Sequence, residues 1–152
     1  MSAETFPQGR AEHITADRDA VIAATAAAAA IADKKGVDIT LLDVSELLVV
    51  TDLFLIATGT STRHVRTLIE AVEESLRLRF ARRPLRREGE DRARWVLLDY
   101  GDFVVHVFDD ETRSYYELER LWADAPSFDV EQATPEGAAG GGLIHSPARR
   151  GL

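Results

Sequence analysis

The segment 95–108 constrains the fold of this chain most, because it has the pattern of a β-hairpin with apolar residues on both faces. Tyr100-Gly101 predicts a two-residue turn, in which the glycine supplies the positive φ that such turns need. This register places Trp95 opposite His106, and directly opposed residues share one face of the sheet. One face of the hairpin therefore needs an explanation other than the main core of the domain.

The two predicted faces differ in composition. The first face is apolar throughout and contains Val96, Leu98, Phe103, Val105 and Val107. The second face is mixed and contains Trp95, Leu97, Asp99, Asp102, Val104 and His106. In one interpretation a helix of the same domain covers the mixed face, and Trp95 belongs to the core. In the other the face is exposed and docks a partner, with the tryptophan at the centre and charges at the rim.

The length and composition fit one domain with a proper core plus tails. The chain has 152 residues, no cysteine and a formal charge of −8, so disulfides, thiolate metal sites and cysteine nucleophiles are excluded. The acidic balance favours a basic protein partner over broad binding of nucleic acid. No apolar run is long enough to span a bilayer, and the start lacks the pattern of a signal peptide. We therefore expect a cytoplasmic protein.

The pattern along the chain predicts three regions. Residues 1–16 lack periodicity and are expected to form a mobile arm, residues 17–123 the folded domain, and residues 124–152 a disordered tail rich in glycine and proline. Within the domain, an alanine-rich helix is capped by Asp17 and ended by Gly36. Strands are predicted at 38–44, 53–58 and 85–88.

Two further helices are predicted in the domain. A turn with a capping residue at 59–62 precedes a long helix that Pro84 stops. A second helix over 113–122 is expected to turn Tyr115, Leu118 and either Leu121 or Trp122 inward.

The charges are distributed unevenly along the sequence. Residues 77–94 contain eight arginines against three acids, whereas residues 99–119 contain seven acids against one arginine. Solvated faces, contact of the arginine segment with RNA, and self-association of the two opposite patches are all compatible with this distribution.

No pattern in the chain supplies a complete active site. The frame of a phosphate-binding loop is absent after Gly59, and no two histidines have the spacing of a zinc site. Ser61 and His64 resemble a nucleophile and a base only in composition, and His64 is more simply explained as packing or hydrogen-bonding to the loop. Asp99 and Asp102 are more simply explained as turn residues. We expect no enzyme, no cofactor and no metal. The alternative is a degenerate, magnesium-dependent nucleotidyltransferase that uses Ser61, Asp99 and Asp102.

Three ordered motifs resemble the Iojap family of ribosomal silencing factors. They lie at 52–65, at 95–108 and at 113–122, and the last contains Arg113 and the run Tyr116-Glu117-Leu118-Glu119-Arg120-Leu121-Trp122. The resemblance implies a single α/β domain with a mixed β-sheet flanked by helices, and a topology related to that of nucleotidyltransferases without their chemistry.

The resemblance also implies a partner and a mechanism. Members of that family bind large-subunit ribosomal protein fourteen and sterically block joining of the ribosomal subunits, which represses translation when nutrients are limited. The implied contact residues lie on the tryptophan strand and the tyrosine-bearing helix. The expected partner-binding residues are Trp95, Leu97, Asp99, Asp102, Val104, His106, Tyr116 and Glu117. Peripheral contact with ribosomal RNA and a monomer–dimer equilibrium are expected as well.

Overall fold

The computed structural model describes residues 15–130 and the backbone of residues 143–145. The helices are α1 (Arg18–Asp33), α2 (Thr62–Phe80), α3 (Asp110–Tyr116) and α4 (Leu118–Leu121). The strands are β1 (Val37–Asp43), β2 (Leu53–Gly59), β3 (Arg86–Glu88), β4 (Trp95–Asp99), β5 (Phe103–Asp109), β6 (Ser127–Val130) and β7 (Leu143–His145). Within this part of the chain the strands form one sheet in the order β3-β4-β5-β2-β1-β6-β7. The predicted α/β domain with a mixed sheet is confirmed, since β2 and β5 are parallel and the other pairs are antiparallel.

The first helix begins as predicted and ends differently. Asp17 caps α1 by accepting hydrogen bonds from the backbone N–H groups of Asp19 and Ala20. The left-handed residue after the helix is Lys35, with a φ of 72°, and not Gly36. Gly36 is required for another reason: a Cβ there would lie 2.3 Å from Cγ2 of Ile31.

The unit of β2 and α2 follows the sequence closely. All residues of β2 are buried, as expected of a central strand covered on both faces. Ser61 caps α2 by accepting a hydrogen bond from His64 N. The helix ends at Phe80 because Ala81 adopts the left-handed conformation, three residues before the predicted stop at Pro84.

The hairpin register differs by two residues from the predicted one. Trp95 pairs with Phe108 rather than with His106, and Asp99 pairs with Val104. The turn is displaced by one position to Gly101-Asp102, because Tyr100 N donates to Phe103 O at 2.9 Å. Asp99 Oδ1 accepts a hydrogen bond from Gly101 N at 2.8 Å and helps to hold this turn. Since side chains alternate with a period of two, the shift leaves the membership of each face almost intact and adds Phe108 to the mixed face.

The predicted third helix is two short helices. Glu117 adopts a φ of 49° and separates α3 from α4. The expected inward direction is confirmed for Leu118, which is buried, and wrong for Tyr115, which is 78 % exposed. Of the two alternatives at the end, Trp122 packs inward and Leu121 is exposed.

The folded domain extends beyond residue 123. The prediction of a disordered tail from residue 124 is wrong for 127–130, because β6 pairs with β1 and Phe128 is buried in the core. The backbone of β7 then pairs with β6. A four-residue strand is too short to produce a periodic signal, and its burial depends on β1, which is distant in sequence. The rest of the predicted tail, 131–142 and 146–152, and residues 1–14 of the predicted arm lie outside the described residues.

The sheet has a different cover on each face. On the helix-covered face, α1 and α2 pack on one large cluster that includes Leu55, Leu98, Phe103 and Val105. On the other face, a smaller cluster contains Phe54 and Phe108, with Leu118 from α4. No helix in the described part of the chain is long and apolar enough to cross a membrane.

The arginine-rich and acidic segments lie side by side in the fold. Arg82 pairs with Asp102 at 2.7 Å, and Arg86 and Arg94 reach carboxylates of the acidic segment as well. The charge asymmetry is therefore smaller in space than it is along the sequence.

Candidate functional site

The aromatic face, as we call the side of β4 and β5 opposite α1 and α2, is centred on Trp95. The Trp95 ring stacks on Phe108 with centroids 4.7 Å apart and contacts Tyr116 at 4.9 Å. Trp95 is half-buried, whereas Phe108 beneath it has no exposed surface. The mixed face thus has its own small core and leaves the indole partly open.

His106 is the polar centre of the aromatic face. The indole Nε1 of Trp95 donates a hydrogen bond to His106 Nδ1 at 3.1 Å, which places the imidazole proton on Nε2. That Nε2 is buried and has no hydrogen-bond partner among the described residues. Burial lowers the pKa of His106 to about 4, so the ring is neutral at pH 7. Its acceptor nitrogen fixes the orientation of the indole.

The short helices α3 and α4 border the aromatic face and leave several large side chains exposed. Tyr116 is 51 % exposed and Leu121 is 72 % exposed. None of the residues of α3 is buried. Asp109 caps α3 by accepting a hydrogen bond from Thr112 N at 2.8 Å. Packing in the core therefore contributes little to the position of α3.

Arg113 links α3 to its surroundings through polar contacts. Its side chain is only 12 % exposed and forms an ion pair with Glu119 of α4. Its Nη1 donates to Thr58 Oγ1 at 2.8 Å and to the backbone oxygen of Asp38 at 2.5 Å. One guanidinium thus bridges α3, α4 and the ends of two strands.

The predicted contact residues are brought together with one exception. Leu97 and His106 are paired on β4 and β5, as are Asp99 and Val104, so these four lie in adjacent rows of the aromatic face beside Trp95. Glu117 follows Tyr116 directly and is bonded to Arg120 at 2.6 Å.

Asp102 is the exception. Its carboxylate accepts two hydrogen bonds from Arg82, whose guanidinium lies over the ring of Phe103 at 5.4 Å. Phe103 belongs to the helix-covered face. The prediction that Asp102 shares the face of Trp95 is therefore wrong, because Asp102 lies in the displaced turn and its carboxylate binds Arg82.

Sequence reasoning missed one aromatic member of this face, Phe54. The ring of Phe54 on β2 contacts His106 at 5.0 Å and Trp122 at 5.6 Å. Phe54 was not found because β2 is apolar at nearly every position, so its pattern does not show which side chains share a face with β5. The parallel register, which pairs Phe54 with Val104, supplies that information.

The loop between β1 and β2 extends the apolar surface. Leu48 packs on the smaller cluster, and the exposed residues beside it are Leu47, Val49 and Val50. Such a group of exposed apolar side chains is typical of an interaction surface.

A groove of about 570 Å³ lies beside the indole. Its walls include Trp95, Tyr115 and Tyr116 on one side and the loop of Gly89 and Arg92 on the other. Gly89 has a φ of 87°, and a Cβ at this position would lie 2.0 Å from the backbone oxygen of Trp95. The loop therefore approaches the start of β4 more closely than any side chain would allow.

The residues of the alternative catalytic site have structural partners. Thr60 N donates to His64 Nδ1 at 2.9 Å, and His64 Nε2 contacts the backbone oxygen of Lys34 at 2.8 Å. Ser61 is a helix cap and Asp99 holds the hairpin turn, as expected. Within the described residues no cluster of three or more metal-ligating side chains occurs.

Comparisons with known proteins agree on one family. The family model of the ribosomal silencing factor during starvation matches residues 17–146. A ribosomal silencing factor from Bacillus subtilis is 44% identical over 110 residues, which cover 69% of this chain and 88% of the relative.

A more distant relative and a solved structure extend the comparison. The mouse protein named mitochondrial assembly of ribosomal large subunit protein 1 is 37% identical over 98 residues, covering 63% of this chain and 42% of that protein. The crystal structure of a Chromobacterium violaceum protein superposes with a TM-score of 0.65 at 38% identity, covering 76% of this chain and 97% of that one. The chain belongs to the family of ribosomal silencing factors, which are ribosome-associated regulators of translation.

Proposed function

We propose that this protein binds large-subunit ribosomal protein fourteen through the aromatic face and thereby prevents the small subunit from joining. Repression of translation in the cytoplasm under nutrient limitation would follow. The observation that carries the proposal is the half-buried Trp95, whose ring contacts the exposed Tyr116 at 4.9 Å. The apolar loop that contains Val49 and Val50 lies nearer the hairpin turn, at the other end of β5 from Trp95, and adds exposed apolar side chains there. Aromatic side chains in partly desolvated pockets supply most of the energy at many protein interfaces.

The charges around this surface fit a basic partner. The acidic side chains of α3, together with Glu117 and Asp124, border the apolar centre, and both Glu111 and Glu117 are exposed. An acidic rim speeds association with a cationic surface and suppresses binding of acidic proteins. The mouse relative's name refers to the large ribosomal subunit, which agrees with a partner on that subunit.

Two secondary contacts belong to the same proposal. Arg77 and Arg83 form no ion pair with another described residue, so they are free to contact ribosomal RNA at the periphery. The apolar surface also suits a second copy of the chain, so a dimer would compete with the ribosome for the aromatic face.

The test compares sedimentation of two variants with purified large ribosomal subunits. Trp95→Ala is expected to weaken binding by about 30-fold, or about 2 kcal/mol, because it removes the indole from the centre of the surface. Leu78→Ala is the matched control, since Leu78 is an exposed apolar residue on α2, away from the aromatic face. Circular dichroism melting would verify that both variants fold. Unchanged binding by a folded Trp95→Ala variant would reject the aromatic face as the docking surface.

A second measurement separates binding from silencing. Small subunits are added to large subunits that carry the protein, and the fraction of joined ribosomes is measured on a gradient. The proposal expects that fraction to fall with wild type and to recover with Trp95→Ala. Normal joining on saturated large subunits would contradict the steric mechanism.

A further inference from the structure

The helix that carries Tyr116 has no hydrophobic anchor. None of the α3 residues is buried, and a helix of seven residues is too short to be stable by itself. Nevertheless Tyr116 contacts Trp95 at 4.9 Å and forms part of the surface described above. Something other than core packing must therefore keep α3 against the sheet.

Arg113 provides the most extensive connection. It lies three residues before Tyr116, so the two side chains are on neighbouring positions of one side of α3. The guanidinium group offers five donors in a rigid fork, and here the fork contacts Glu119, Thr58 and the backbone oxygen of Asp38. Thr58 is 1 % exposed, so this contact reaches the core of the sheet.

The contacts of Arg113 also fix the joint between the two short helices. Glu117 is left-handed at this joint, and Arg113 and Glu119 lie on either side of it. The ion pair between Arg113 and Glu119 therefore links α3 to α4 across this joint. At the other end, Asp38 has a φ of 51° where the pairing of β1 and β2 is irregular, and its carbonyl accepts from Arg113.

We infer that Arg113 is a positioning residue for the partner-binding surface: by bridging α3, α4 and β2 it holds Tyr116 against Trp95. Arg113 itself is mostly buried and acts through Tyr116 rather than by touching the partner. The inference rests on the proposed function for its effect on binding, whereas its structural part stands independently.

A double-mutant cycle tests whether Arg113 acts through Tyr116. Arg113→Met is expected to weaken binding to large ribosomal subunits about tenfold, and the same change in a Tyr116→Ala background is expected to have less than about a twofold effect. Arg18→Met is the matched control, because Arg18 is an exposed arginine of α1, on the opposite side of the sheet from the aromatic face, and should leave affinity unchanged. An equal loss in both backgrounds would overturn the inference.

Amide hydrogen exchange supplies a readout that needs no ribosome. In Arg113→Met the amides of α3 and α4 should exchange at least about tenfold faster, while those of β2 and β5 keep their protection. Glu119→Gln serves as a milder variant if Arg113→Met does not fold, and should accelerate exchange in the same helices by a smaller factor. Unchanged exchange in α3 would overturn the positioning role. If wild type fails to bind large subunits while exchange responds as expected, the proposed function fails and the positioning role stands.

Discussion

The two faces of strands β4 and β5 are covered to different extents by the rest of the chain. On the helix-covered face, Leu98, Phe103 and Val105 have no exposed surface and are sealed by two long helices. On the aromatic face, the cover consists of two helices of seven and four residues, and Leu97 and Trp95 remain half-exposed. Neighbouring residues of one strand thus belong to a complete core and to an incomplete one.

The difference indicates where stability and recognition are separated in this domain. The aromatic face leaves apolar and aromatic side chains partly exposed, whereas the helix-covered face is closed by residues of the chain itself. Substitutions on the first face should therefore act mainly on the free energy of unfolding, and those on the second face mainly on binding. The following changes test that separation.

The pair Leu98→Ala and Leu97→Ala tests it most directly. Leu98→Ala should reduce the free energy of unfolding by about 4 kcal/mol, because it opens a cavity in a closed core. Leu97→Ala should cost less, about 1 kcal/mol, since this side chain is already partly in contact with water. Urea denaturation measures both. Equal losses of stability would show that the two faces do not differ as described.

The titration of His106 measures how tightly the aromatic face is closed. The folded pKa of about 4 lies below the unfolded value of about 6.5, so protonation favours the unfolded chain. Stability should be unaffected above pH 6.5 and should fall by roughly 3 kcal/mol as the pH decreases toward 4. The His106→Gln variant, which keeps an acceptor for the indole, should lack this component. Parallel stability profiles of wild type and variant across that range would contradict the burial of the ring.

The Asp102→Asn variant tests whether the Asp102 side chain belongs to the helix-covered side of the hairpin. The bidentate pair of Asp102 with Arg82 is about one third exposed, so its loss should cost about 1 kcal/mol of stability, less at high salt. Affinity for the large ribosomal subunit should not change. A loss of affinity without a loss of stability would show that Asp102 contacts the partner and would contradict this assignment.

Tyr115→Ala should have the smallest effect on stability. Tyr115 is 78 % exposed and contacts Tyr116 only by its edge, at 4.9 Å between ring centroids. The expected change in the free energy of unfolding is below about 0.5 kcal/mol in thermal or urea denaturation. A larger destabilisation would mean that α3 contributes to the core after all.

Local patterns predicted the elements of the fold well. Asp17 and Ser61 cap helices as expected, and the apolar run of β2 is a central strand. The hairpin faces were predicted correctly although the register was wrong, because a shift by two residues preserves the alternation. Such features depend on residues that are close in sequence, and for this reason a single sequence reveals them.

The features that were missed depend on distant partners. Phe128 enters the core only because β6 pairs with β1, and no periodic signal marks so short a strand. Glu117 interrupts the predicted third helix by adopting a left-handed conformation, with a φ of 49°. No glycine or proline marks this position in the sequence. Asp102 left the predicted site because Arg82, which is twenty positions earlier, binds it.

The contact between Gly89 and Trp95 has a consequence for how the docking surface tolerates change. A single methyl group at position 89 would clash with the backbone oxygen of Trp95, push the Arg92 loop away from the start of β4 and widen the groove beside the indole. The shape of the groove beside Trp95 thus depends on the absence of a Cβ atom at position 89. A variant screen that scored only contact residues would overlook it.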